Sequence, residues 1–292
     1  MITYTNGTYR VKQYQDGTKI LIDPSNEFEA EFPDNIDVKI TDYCDVGCKF
    51  CYENSKITGK HCNSIVLLEK LSKLPSGIEV TLGGGNPVSH PDIERIISTL
   101  KEQGKFISMT VNENSLGMMQ KDLDLRALGI SPISGIDREV IDFNYHDIPI
   151  VFHFIMGIHP IKQVERYLKS GKKVLILGYK SLGRGKNMLP SDLEEWSKGL
   201  KRLKFRLVEG REFPDTTRIS LDNLAIRQAN FKKSFTTKEW DTFYLGEDGF
   251  CSMYIDAVSG TYSESSTVSE VSRTSWDNLE IIDYFKNAKT KS

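Results

Sequence analysis

The pattern of hydrophobic and polar positions changes character near residue 36. Before it, short runs rich in Thr, Tyr, Val and Ile flank the turn dipeptides Asn6-Gly7 and Asp16-Gly17, which predicts a small antiparallel unit. After it, strand-length apolar runs alternate with stretches of helical period. The predicted strands are Ile36–Thr41, Ile78–Leu82, Phe106–Val111, Ser131–Gly135, Ile148–Met156 and Lys173–Gly178. Between them, Ser64–Leu74, Pro91–Gln103, Leu116–Leu128, Asp137–Phe143 and Pro160–Ser170 predict helices, with Pro91 suited to a first turn and Gly104 to an end. Six such alternations imply an α/β fold, a parallel sheet covered by helices. A complete eightfold barrel needs about 250 residues, so this core of about 150 is expected to form a partial, TIM-like (β/α)6 barrel.

Beyond about Pro190 the pattern predicts a helix over Asp192–Lys204, strands near Arg218–Leu224 and Cys251–Ala257, and a last helix over Asn278–Asn287. The chain then divides into an N-terminal β-hairpin unit (1–35), a barrel core (36–190) and a C-terminal α+β extension (191–292) that could cap the barrel.

Composition narrows the function classes. A 39% hydrophobic, 27% charged chain of 292 residues is that of a well-cored globular protein. A net charge of −2 argues against an electrostatic nucleic-acid platform, and the basic stretch Lys198–Arg206 reads as the solvated face of a helix. Apolar runs such as Ile148–Ile155 are too short to span a bilayer, and the first residues carry no signal-peptide pattern, so a cytoplasmic address is expected.

Cysteine placement carries the chemistry. Three of the five cysteines crowd into Cys44-Asp45-Val46-Gly47-Cys48-Lys49-Phe50-Cys51, where disulfides would close loops too tight to be useful. Three thiolates can hold three irons of a cubane [4Fe–4S] cluster and leave the fourth open to a chelating small molecule. The competing reading is a zinc-stabilised binding module without redox chemistry, in which His61 or Cys62 completes the ligand set.

This C-x3-C-x2-C run, with an aromatic residue before its third cysteine and in the loop after the first strand of a βα series, resembles the signature of the radical S-adenosylmethionine (SAM) superfamily over roughly Ile36 to Gly185. The resemblance implies one cluster on Cys44, Cys48 and Cys51, and SAM on the open iron through its amino and carboxylate groups. It also implies reductive cleavage of SAM to a 5′-deoxyadenosyl radical that takes hydrogen from a substrate. The run Gly83-Gly84-Gly85-Asn86-Pro87 resembles the family's Gly-Gly-Glu-Pro segment, which binds the SAM ammonium, with Asn86 in place of Glu. The amide oxygen still accepts a hydrogen bond, with less charge assistance. Phe50 matches the aromatic position near the adenine, or packs the loop. Asn112, Ser134 and Gly178 match strand-end positions that contact SAM.

His153 lies opposite Phe152 and Phe154 in its strand and either lines the barrel lumen or sits as a core histidine. Lys180 and Arg184 either meet a carboxylate or phosphate at the barrel mouth or are ordinary loop cations. Cys62 and Cys251 are too few for a second cluster and read as inert thiols. The substrate class stays open among peptide, nucleotide-derived and small metabolite, with peptide favoured because the N-terminal unit could accept an added strand. An electron donor such as flavodoxin or ferredoxin is the implied partner.

Overall fold

The computed structural model describes residues 1–14, 19–25, 27–119, 122–133, 138–188, 193–208, 212–244 and 246–289. Strands β1 (Ile2–Asn6), β2 (Tyr9–Gln13) and β3 (Lys19–Ile22) form an antiparallel sheet, one strand more than a hairpin. Gly7, at φ +59°, makes the first turn, as the Asn-Gly pair predicts, whereas Asp16-Gly17 lies outside the described residues. This small sheet packs Tyr9 and Val11 against Ala30 and against Phe285 of the last helix. Tyr4, Asn6 and Tyr9 all donate side-chain hydrogen bonds to the Asp34 carboxylate (2.5–2.9 Å), tying the unit to the start of the next strand.

Among the described residues the main sheet has ten strands. Six follow one another in parallel: β4 (Asn35–Thr41), β5 (Glu79–Gly84), β6 (Phe106–Asn112), β7 (Ala127–Ser131), β8 (Ile150–Ile155) and β9 (Lys173–Leu177). The C-terminal residues extend it at both edges. β10 (Arg218–Leu221) pairs parallel with β9, β11 (Ser252–Asp256) pairs parallel with β4, and β12 (Thr261–Ser263) and β13 (Thr274–Ser275) complete an antiparallel margin. Residues 212–276 are thus partly built into the sheet of the core.

Helices α1 (Ser64–Ser72), α2 (Ile93–Glu102), α3 (Arg138–Ile141), α4 (Ile161–Lys169) and α5 (Leu193–Val208) punctuate the strands, followed by α6 (Asn223–Gln228), α7 (Thr237–Phe243) and α8 (Ile281–Lys289). Their apolar stripes cover one face of the sheet, where Ile36, Val38 and Ile40 of β4, Val80 and Leu82 of β5, and Phe152 and Phe154 of β8 are buried. Among the described residues the predicted helix over Leu116–Leu128 is absent. Residues 113–118 form a short 3-10 segment and the chain re-enters the sheet at Ala127, so the fourth strand ends at Ser131, where it was expected to begin. The apolar residues at 123, 125 and 128 that suggested helical spacing are core contacts of a loop and a strand, since burial alone does not set the period.

The other face of the sheet is largely polar over β4–β6 and mixed over β8 and β9, where Val151, Ile155, Leu175 and Leu177 share it with His153 and Lys173. Alternation puts Asp37 and Lys39 of β4 there, and register aligns Asp37 with Thr81 and Ser108 on one side and Tyr254 on the other. No described helix is long and apolar enough to cross a membrane.

Candidate functional site

The cysteine loop leaves the C-terminal end of β4 and is held by its own backbone. The Cys44 amide donates to the Lys56 carbonyl (3.1 Å), the Lys56 amide to the Asp42 carbonyl (3.1 Å), and the Cys51 amide to the Cys48 carbonyl (3.2 Å). All three cysteines are free and partly exposed. Burial raises the Cys48 pKa, and the neighbouring Cys51 and Cys44 raise it further. Three thiolates repel at this range, so a cationic partner is needed to hold them ionised together. Among the described residues no three His, Cys, Asp or Glu side chains are gathered around a point that would suit one ion. Cubane ligands need no such point, because each sulfur meets a different iron.

The glycine-rich segment is fastened to this loop. The Gly85 amide donates to the Thr41 carbonyl (2.8 Å) and the Asn86 amide to the Tyr43 carbonyl (2.7 Å). A Cβ at Gly85 would stand 2.1 Å from the Tyr43 carbonyl oxygen and 3.1 Å from the Cys44 Cβ, so only glycine permits this approach. Asn86 is 2% exposed. Its Nδ2 donates to Asp45 Oδ1 (3.1 Å) and lies 3.5 Å from Met118 Sδ, while its Oδ1 is buried without a hydrogen-bond partner. A buried acceptor left open costs about 1–3 kcal/mol, which a ligand's donor would recover. Asp45 also accounts for the asparagine: a glutamate here would set a second carboxylate beside the first.

The remaining expected residues fall in several places. Asn112 brings its Nδ2 to 4.0 Å from Cys48 Sγ and caps the following 3-10 turn through Asn114 (3.0 Å). Phe50 is half-buried and meets His159 edge-on at 6.4 Å. Gly178 donates its amide to Asp222 (2.9 Å), and a Cβ there would lie 2.4 Å from Leu224, so its glycine serves close packing on α6. Ser134 lies outside the described residues. His153 sits on the polar face over Gly129 and Thr110, and burial lowers its pKa to about 4, so its imidazole is neutral at physiological pH. Arg184 is a strut for the cysteine loop. Its Nε donates to the Cys48 carbonyl (2.9 Å), its Nη1 to the Ser55 carbonyl (2.8 Å), and its amide to the Cys51 carbonyl (3.0 Å). Lys180 lies 4.0 Å above the Tyr52 ring and donates to Ser266 (2.7 Å).

His61 and Cys62 turn elsewhere. His61 Nδ1 pairs with Thr41 Oγ1 (2.8 Å), and Cys62 lies 3.5 Å from His90 Nε2 with its thiol pushed up to about 12 by burial. Their engagement there weakens the zinc reading.

Sequence reasoning missed one buried network. Lys39 Nζ meets Asp42 (2.7 Å) and Glu53 (3.0 Å), at either side of the cysteine run, and Asp256 of β11 (3.1 Å). Arg273 also meets Asp256 (3.0 Å), and Tyr254 donates to Glu53 (3.0 Å). Burial pulls the Lys39 pKa down, but Glu53, Asp42 and Asp256 outweigh it and leave it raised. The legible signal was a lysine and an aspartate at alternate positions of a central parallel strand, where both faces are ordinarily apolar.

No family model matches the chain. A probable GTP 3′,8-cyclase of Sulfolobus acidocaldarius is 30% identical over 149 residues, and one of Thermococcus kodakarensis is 26% identical over 146. Each match covers 48% of this chain and 44% of the relative, so the chain spans less than half the length of these curated relatives. Among solved structures, Streptococcus suis SuiB bound to S-adenosylmethionine superposes with a TM-score of 0.62 at 14% identity, covering 89% of this chain and 67% of SuiB. SuiB bound to its precursor peptide SuiA gives 0.61 at 14%, covering 88% and 65%. At that identity the structural likeness speaks for the fold.

Proposed function

We propose that this chain, which belongs to the radical SAM superfamily and shares its cofactors, one [4Fe–4S] cluster and SAM, is an enzyme that abstracts hydrogen from a substrate held against the polar face of its sheet. The observation that carries this reading is the orphaned Oδ1 of Asn86, buried beside the cysteine loop on a glycine segment that admits no side chain at Gly85. The donor set suits the group. Cys44, Cys48 and Cys51 would hold the cluster, and Asn86 would accept from the SAM ammonium, with Gly84, Gly85 and Pro87 shaping the backbone around it. Asn112, Ser134, Gly178 and Phe50 are proposed along the rest of SAM. When bound, these cofactors supply reductive cleavage of SAM and a 5′-deoxyadenosyl radical.

The chain's own residues do the remaining work. Arg184 and Lys39 fix the cysteine loop, and the parallel strands, read as a partial barrel, enclose the polar face and keep water from reactive species. His153, neutral and on that face, is proposed to line the chamber. The SuiB–SuiA complex supports a peptide substrate for this chain by analogy of fold. A flavodoxin or ferredoxin is proposed as the electron source. The test is anaerobic: protein reconstituted with iron and sulfide, reduced with dithionite and given SAM, is expected to release 5′-deoxyadenosine and methionine. Protein loaded with about four irons per chain and fully reduced that releases none would refute the reading.

A further inference from the structure

We propose that Asp37 is the substrate anchor of this site, binding a substrate group that is a cationic donor, an amine or a guanidine. The inference rests on reading the polar face as the reaction chamber. Asp37 lies mid-strand on β4, on the same face as Lys39 and two residues further from the cysteine loop, in register with Thr81 and Tyr254. It is open to solvent, yet so ringed by protein that enclosure pushes its carboxyl up to about 6, with Lys180 opposing the shift and Glu79 and Asp248 adding to it.

The neighbouring charges are already committed. Glu79 meets Lys19 (3.7 Å) and accepts from Ser108 (3.3 Å). Asp222 caps α6 through the Ala225 amide (2.6 Å), and Asp248 accepts from Asn223 (2.9 Å) and meets Arg227 (3.6 Å). Glu53 and Asp256 share Lys39. Lys180 acts on Asp37 at a distance while its ammonium is given to Ser266 and the Tyr52 ring. Asp37 alone of this group has no hydrogen bond or ion pair among the described residues. A substrate entering this recess displaces water from the Asp37 carboxylate, and an ammonium or guanidinium replaces that water with a charge-assisted pair. Anionic substrates would face Asp37, Glu79 and Asp248 together.

The test is equilibrium dialysis of reconstituted full-length protein, with SAM present, against radiolabelled cadaverine as the amine probe and glutarate as the anionic control. Wild type is expected to retain cadaverine over glutarate, Asp37→Glu to keep it, and Asp37→Asn to bind it at least about tenfold more weakly, as loss of a charge-assisted pair implies. Iron content and uptake of labelled SAM should be the same in all three proteins. Equal cadaverine binding by Asp37→Asn, preference for glutarate, or no cadaverine bound by a wild type that does take up SAM would overturn the assignment. So would loss of iron from Asp37→Asn, which would place the residue in the fold instead. Failure of the wild type to take up SAM would overturn the underlying reading, and the anchor with it.

Discussion

Replacing Lys39 with Met removes a cation that joins both sides of the cysteine loop to β11. The size of the effect follows from what each partner has left. Asp42 is 33% exposed at its side chain, so its pair contributes about 0.2–1 kcal/mol, as solvent-screened pairs do. Asp256 is 3% exposed but keeps Arg273. Glu53, at 7%, keeps neutral hydroxyl partners, Tyr254 and Tyr52, and becomes the buried charge with no cation. Breaking a buried pair on one side costs about 3–5 kcal/mol, against a total stability of about 5–15. Guanidinium unfolding of the iron-free protein should show that loss, and the melting temperature should fall on the order of 10 °C. Reconstituted Lys39→Met should also carry less iron, because the loop's two anchors are released together. The double variant Lys39→Met/Glu53→Gln removes the stranded charge and should recover more than half the loss. A single variant within about 1 kcal/mol of wild type, or a double variant no better than the single, would refute the argument.

Three further outcomes follow from the site. Cys48→Ala should abolish iron loading while Cys62→Ala leaves it intact; full iron in Cys48→Ala would exclude the loop as the cluster site. Asn86→Leu should weaken SAM binding by about 1–3 kcal/mol in a calorimetric titration. Asn86→Glu alone should gain little, because it faces Asp45, and should bind SAM more tightly when paired with Asp45→Asn; equal affinity for wild type and Asn86→Leu would remove the amide from the binding. His153 has a folded pKa of about 4 against an ordinary value of 6.5, so the unfolded chain takes up its proton first. Its contribution to stability is therefore complete above pH 6.5 and is lost as pH falls towards 4. His153→Gln should flatten that part of the stability–pH profile, and an unchanged slope would show that the imidazole is not buried as described.

The amino-acid sequence by itself determined the α/β alternation, five of the six core strand positions, the loop that carries Cys44, Cys48 and Cys51, and the glycine segment that follows β5. These are local properties. Period, turn chemistry and ligand spacing are written within a few residues of one another, and the sequence can be read at that range. The misplaced fourth strand marks the limit, since Leu123, Leu125 and Leu128 are apolar for reasons of burial that suit either period. Only the tertiary structure decided which polar residues meet. It set Asp45 beside Asn86, made Arg184 a strut for a loop more than 130 residues away, and brought Asp256 and Arg273 to Lys39 by pairing β11 with β4. The same pairing left Asp37 facing the polar side without a partner among the described residues. Parallel strands meet across connections of many residues, so the partners of a charged side chain are fixed by sheet order, a global property that no local pattern records.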